Sequence, residues 1–275
     1  MLRPAAFLAA LLTAGSDPAT ATTSTATTAS TGGRAGNADT QYGGRTFVAA
    51  AAFCDRVLCS RGRSRLRCLT DWRGMLATIT FLRTLPRLSI TLTERPTGQA
   101  IRAYLLQRGR LRIRNRLLAQ GVLELPPTMA EYRKGRQRQA MRTNVTQAER
   151  LGMHCEQLET ELERHAMGDW FCSEPWQTAK FSDLHRTCWV VLNSNNRPIA
   201  LASVTVAAET AILWSIITIG SPERWLLHTQ IVETLIGTGV RVLLIDGPGA
   251  LRLDPGLQYF QRRLGYRIAH LTLAR

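Results

Sequence analysis

The stretch that decides the fold begins IALASVTV at 199–206, turns through AAET at 207–210, and continues AILWSIITI at 211–219 and GSPERW at 220–225. Both apolar runs are rich in β-branched residues and too short for a typical helix, so they are read as adjacent strands. Ser221 suits an N-cap, Pro222 the first helical position, and Glu223 adds a favourable charge in the first turn. Trp225, Leu226, Leu227, Ile231, Val232, Leu235 and Ile236 then recur at roughly helical spacing, and Gly237 or Gly239 closes the run. Val240–Ile245 reads as a third strand, broken by Asp246-Gly247-Pro248-Gly249. A short helix at Gly256–Arg263 and a last strand at Tyr266–Leu273 complete the order β-β-α-β-α-β.

That order, with Gly256-Leu257-x-x-Phe260 leading into Leu264-Gly265-Tyr266, resembles the second half of the GNAT acyltransferase fold, closest to its Fem-type and related branch. The resemblance covers about residues 126–275 and implies a mixed α/β sheet flanked by helices. It also implies that acetyl-CoA or another acyl-CoA, or else aminoacyl-tRNA, donates an acyl group to an amine. In the family, amides at the start of the helix after the fourth strand hold the donor's pyrophosphate. Here the corresponding loop offers Gly220, Ser221, Arg224 and Trp225, lacks a second glycine, and carries Glu223. The family's acid is commonly a tyrosine four residues before the glycine of the last helix. That position is Gln261, with Tyr259 two residues away as the candidate acid. Glu209, at the corner between the first two strands, is the candidate base, against the simpler reading of an exposed hairpin acid.

Upstream, Pro126-Pro127 stops a strand at Leu117–Leu125, and Thr128 with Glu131 forms a capping-box pattern. A long helix is expected from there to Leu151, weakened near Gly135 and ended by Gly152. Its polar cluster, Tyr132, Arg136, Arg138, Arg142 and Asn144, is similar to the basic first helix that borders the substrate cleft in Fem-like domains. A solvated helix face is the competing reading. Further strands are expected at Met153–Leu158 and Thr187–Leu192, and a helix at Glu159–Ala166.

Charge is unevenly spread. The chain has 275 residues and a net charge of +15, and residues 46–150 hold 21 basic and six acidic groups, whereas 151–275 are nearly balanced. Arg108, Arg110, Arg112, Arg114 and Arg116 alternate with other residues, and a period of two places five guanidinium groups along one side of an extended segment. They form either a rail for a polyanion or a charged, soluble strand edge. Three divisions are expected: a low-complexity, disordered leader at 1–45, a basic region at 46–125 for which the pattern names no fold, and the GNAT-like domain at 126–275. Within the basic region, Leu88–Thr93 reads as a strand, and Trp72–Leu82 and Gln99–Gln107 as helices.

The five histidines share no ligand spacing, the six cysteines form no C-x-x-C pair, and no metal is expected. No apolar run reaches the ~20 residues that span a bilayer. A cytoplasmic location is expected, the signal-like first residues notwithstanding. The leading reading is an N-acyltransferase. The rival is an inactive GNAT-like module that binds an anionic partner, nucleic acid or acidic protein, through its arginine-rich middle.

Overall fold

The computed structural model describes residues 44–59, 70–107, 117, 119–171, 185–246 and 255–274. Residues 1–43 of the leader and the Arg108–Arg116 rail lie outside the described residues, while Arg45, the last residue of the expected leader, already belongs to the first helix. Helices α1 (Arg45–Cys59) and α2 (Trp72–Thr84) come first, followed by strand β1 (Arg87–Ile90), helix α3 (Pro96–Leu106) and strand β2 (Gln120–Glu124). Next come helices α4 (Met129–Tyr132) and α5 (Gln139–Arg150), strand β3 (His154–Leu158) and helix α6 (Glu161–Phe171). The remainder is β4 (Thr187–Leu192), β5 (Pro198–Ala207), β6 (Thr210–Thr218), α7 (Pro222–Gly237), β7 (Val242–Ile245), α8 (Pro255–Arg263) and β8 (Arg267–Leu273). The β-β-α-β-α-β order of the C-terminal stretch is therefore present.

The strands form one eight-stranded mixed sheet in the order β1-β8-β2-β7-β6-β5-β4-β3, flanked by helices, which is the expected fold class. The β1–β8 and β6–β7 pairs are parallel and the rest antiparallel. The last strand does not lie at the edge of the sheet, because β1, which precedes it by about two thirds of the chain, pairs with its outer side. Both faces are buried. On one, Ala211, Leu213 and Ile216 of β6 pack with Tyr132, Met141, Val145 and the apolar side of α7; on the other, Ile212 packs with Ile101 and Leu105 of α3.

The single helix expected from Thr128 to Leu151 is broken. Gly135 takes φ 89°, a left-handed value that suits glycine, and a one-turn 3-10 segment at Arg136–Arg138 separates α4 from α5. The Thr128 hydroxyl accepts the Glu131 N–H at 3.2 Å, so the expected N-cap forms, a contribution of about 1 kcal/mol. Helix α7 is buried on most sides, polar residues included: His228 is 0% and Glu223 4% exposed. Thr238 follows as its C-cap and Gly239, at φ 79°, turns the chain into β7.

Candidate functional site

The site is organised by the way two parallel strands part. Strand β6 pairs with β7 from Thr210↔Val242 to Leu213↔Ile245, where β7 ends while β6 continues to Thr218. The Asp246 N–H makes one last bond to the Leu213 carbonyl at 2.8 Å. From Trp214 onward, β6 has no strand partner on that side among the described residues. At this point the pairing of β6 with β5 skips a residue, passing from Val204↔Leu213 to Ser203↔Ser215. Trp214 is thus the extra residue of a β-bulge, a device that re-aims a side chain and bends the strand.

The bulge places Trp214 among polar and aromatic groups. Its indole N–H donates to the Thr205 hydroxyl at 2.7 Å, and its ring meets Tyr104 edge-on at 4.7 Å. The Arg186 guanidinium sits 4.7 Å from the ring centre, within cation–π range. The Tyr104 hydroxyl in turn donates to the Asp246 carboxylate. A carboxylate held by a phenol therefore stands where β7 stops and the open side of β6 begins. Neither residue stood out in the sequence: Tyr104 lies in the basic region and Asp246 in a turn signal, 142 positions apart.

The loop before α7 closes on itself. The Gly220 N–H donates to the Glu223 carboxylate, Pro222 has no N–H, and the Ser221 side chain makes no capping bond. Arg224 donates from Nε and Nη2 to the Thr218 hydroxyl at 3.2 and 3.0 Å, with its guanidinium against Phe260. Trp225 is 3% exposed and packs edge-on against Phe260 at 4.7 Å, as a core residue. The free amides that make a helix start attractive to an anion are reduced here, and an acid occupies the place.

The two acid–base candidates lie elsewhere. Glu209 is exposed, pairs with Arg241 at 3.3 Å and, through its carbonyl, accepts the Arg241 and Val242 N–H groups. It ties the hairpin corner to the start of β7. The eight residue steps from Thr210 to Thr218 span roughly 27 Å at strand rise, so Glu209 and the Gly220 loop sit at opposite ends of β6 and the structure does not bring them together. Tyr259 is 45% exposed, with the Arg263 guanidinium 5.2 Å from its ring, and points away from the core, whereas Gln261 is buried.

The basic cluster divides. Arg142 donates from Nη1 to the carbonyls of Arg133 and Gly135, holding the turn around Gly135, and Asn144 bonds the Ala140 carbonyl at 2.8 Å within its own helix. Arg136 is exposed. Tyr132 and Arg138 alone turn inward, the guanidinium 4.3 Å from the Tyr132 ring centre. Arg138 also acts on the charge of His228 of α7, whose Nε2 pairs with the Tyr266 hydroxyl and whose ring lies edge-on to Phe260 and Tyr266. The Arg138 guanidinium fills the space over Gly265, within 2.4 Å of where a β-carbon would stand.

Burial, reinforced by the nearby Arg138 charge, pushes His228 from 6.5 down to about 3, so the imidazole is neutral. Burial likewise raises Tyr132 to about 12 against the pull of Arg138. The Tyr132 hydroxyl, Arg138 Nη1 and His228 Nδ1 are buried with no hydrogen-bond partner among the described residues. His228 was hidden in the sequence because a histidine three positions from Trp225 and three from Ile231 simply continues an apolar helix face.

Among the described residues no group of three or more His, Cys, Asp or Glu could hold a metal ion, and no helix is long and apolar enough to cross a membrane. No known protein-family profile matches the chain, and no curated protein matches it significantly. Solved structures give partial likenesses. One is the C-terminal domain (DUF2156) of a candidate lysylphosphatidylglycerol synthetase of Agrobacterium fabrum, with 13% identity, TM-score 0.39, and 55% of this chain and 57% of that one covered. A second is L-PGS of Bacillus licheniformis, with 9% identity, TM-score 0.41, and 55% and 57% covered. A third is a conserved protein of unknown function from Bacteroides thetaiotaomicron, with 11% identity, TM-score 0.42, and 55% and 56% covered. The chain spans a little over half the length of each. Likenesses of this extent fix neither family nor activity, and they do not single out a Fem-type branch or an acetyl-CoA donor.

Proposed function

We propose that this chain is a GNAT-type transferase that moves an aminoacyl or acyl group from an ester or thioester to an amine, with aminoacyl-tRNA favoured over acyl-CoA as the donor. The observation that carries the reading is the Tyr104–Asp246 pair at the mouth of the gap between β6 and β7. Acyl transfer to an amine needs a group to take the amine's proton and donors for the oxygen on which charge develops. Asp246 supplies the first, held in place by Tyr104, and backbone N–H groups along the open side of β6 supply the second. As the amine nitrogen attacks the carbonyl carbon, the new N–C bond forms, the ester C–O bond breaks, and the proton taken by Asp246 returns to the departing oxygen.

Two features separate the donors. Glu223 already takes the Gly220 N–H, so a pyrophosphate at this loop would meet a carboxylate in place of a free amide. The strong positive balance of residues 46–150 suits a polyanion such as tRNA, whose binding falls with salt through counterion release. A cytoplasmic location accords with such a donor. The self-closed loop also favours the second reading, an inactive GNAT-like module that binds a polyanion without turnover.

Calorimetric titration of the full chain with acetyl-CoA, CoA and an aminoacyl-tRNA separates these readings. Micromolar, salt-dependent binding of aminoacyl-tRNA with no heat from either CoA species is expected. Tight acetyl-CoA binding would overturn the donor assignment.

A further inference from the structure

Beside the Trp214 bulge, a cavity of about 440 Å³ opens at the end of the sheet where β3 stops and β4 starts. That volume lies within the range of small-molecule sites. Arg164 of α6 and His185 and Arg186 at the entry to β4 line it, with the Thr187 and Thr97 hydroxyls nearby and Glu159 at the rim. Arg164 is fixed in place, since its Nη1 donates to the Arg186 carbonyl at 3.3 Å, while its Nε is buried with no hydrogen-bond partner among the described residues. The Arg186 guanidinium is anchored separately on the Trp214 ring. Two guanidinium groups held by their surroundings, one with a buried donor still to satisfy, make an arrangement that a planar or tetrahedral oxyanion completes.

We infer that this cavity binds a small organic oxyanion, a phosphate monoester or a carboxylate, through Arg164 and Arg186, with the hydroxyls of Thr97 and Thr187 as further donors. The oxyanion satisfies the Arg164 Nε donor. Glu159, a single acid at the rim, selects against a second negative charge on that side and favours a ligand carrying a hydroxyl or amine there. Neither Asp246 nor the loop before α7 lines the cavity, although Arg186 rests on Trp214 of the β6 bulge, so the two sites adjoin.

The test titrates the full chain with glycerol 3-phosphate, inorganic phosphate, acetate and, as the neutral control, glycerol, following heat of binding and thermal stability. Saturable binding of glycerol 3-phosphate or acetate is expected, with no heat from glycerol, and the two ligands distinguish phosphate from carboxylate. Saturation by inorganic phosphate alone would overturn the organic ligand. Arg164→Gln should weaken binding at least tenfold and Arg164→Lys less. Arg150→Gln, an exposed arginine on α5, should leave affinity within twofold. Because Arg164 also bonds the Arg186 carbonyl, melting of each variant without ligand is recorded, and Thr187→Val provides a second variant expected to weaken binding about threefold to tenfold. Absence of saturable binding, or equal loss in Arg150→Gln and Arg164→Gln, would overturn the proposal in favour of diffuse attraction to a basic protein.

Discussion

The buried histidine makes this protein sensitive to acid in a calculable way. His228 titrates near 6.5 in the open chain and at about 3 in the fold, so between those values the unfolded state binds a proton that the folded state does not. Stability therefore rises with pH across this window and is lost as pH falls through it. At ~1.4 kcal/mol per pH unit once the unfolded histidine is charged, lowering pH from 6.5 to 4.5 costs roughly 2 kcal/mol, and the whole shift is worth on the order of 5 kcal/mol. The shift comes first from burial of the ring and then from the Arg138 charge beside it. Glu124, raised by burial against the pull of Arg267, works in the opposite direction and is shared by any variant at position 228. Urea unfolding of the wild type and His228→Gln at half-unit steps from pH 7.5 to 4.5 isolates the term. Glutamine keeps a partner for Tyr266 but does not titrate, so the difference between the two proteins should change by about 2–3 kcal/mol over the range. Parallel curves with equal denaturant slopes would refute the buried, neutral assignment.

Other predictions follow from the same geometry. Tyr266→Phe strands His228 Nε2 and should cost about 1–3 kcal/mol in urea unfolding at pH 7.5; a loss under 0.5 kcal/mol would mean the pair contributes nothing. Glu223→Ala removes the acceptor for Gly220 N–H and should destabilise by about 1–2 kcal/mol, and an unchanged urea midpoint would show that the loop is not closed by its own carboxylate. Gly265→Ala forces a side chain into φ 75° and displaces Arg138, with an expected cost of about 1–2 kcal/mol. Changing Arg110, Arg112 and Arg114 together to Gln should flatten the salt dependence of RNA binding by about two to three in the log–log slope, and an unchanged slope would remove the rail from the interface.

How much of this could be read in the sequence depended on whether the determining contact was local. The β5–β6 hairpin, α7 and β7 were legible because alternation, the Ser221-Pro222 start and the glycines after the helix are cues within a few residues. Thr128 was legible as a cap for the same reason. The place of β8 between β1 and β2 was not, since Arg87↔His270 joins residues that no local pattern relates. The acid–base candidates show the same limit. Glu209 was singled out by its position at a corner, but a corner is an end of the strand, and the gap opens further along. Tyr104 and Asp246 form the pair at that gap only because α3 is folded onto the sheet. Among the basic cluster, spacing could not distinguish Arg138, which turns inward after the Gly135 break, from Arg136, which stays in solvent.

The proposed reaction places acyl transfer at the gap between β6 and β7, with Asp246 taking the proton. Its most direct test is single-turnover transfer of label from aminoacyl-tRNA to a panel of amines, run with the wild type, Asp246→Asn and Glu209→Gln side by side. Transfer by the wild type, a loss of about 10²-fold or more in Asp246→Asn, and wild-type rates in Glu209→Gln are expected. Equal rates in the wild type and Asp246→Asn, or loss in Glu209→Gln alone, would contradict it.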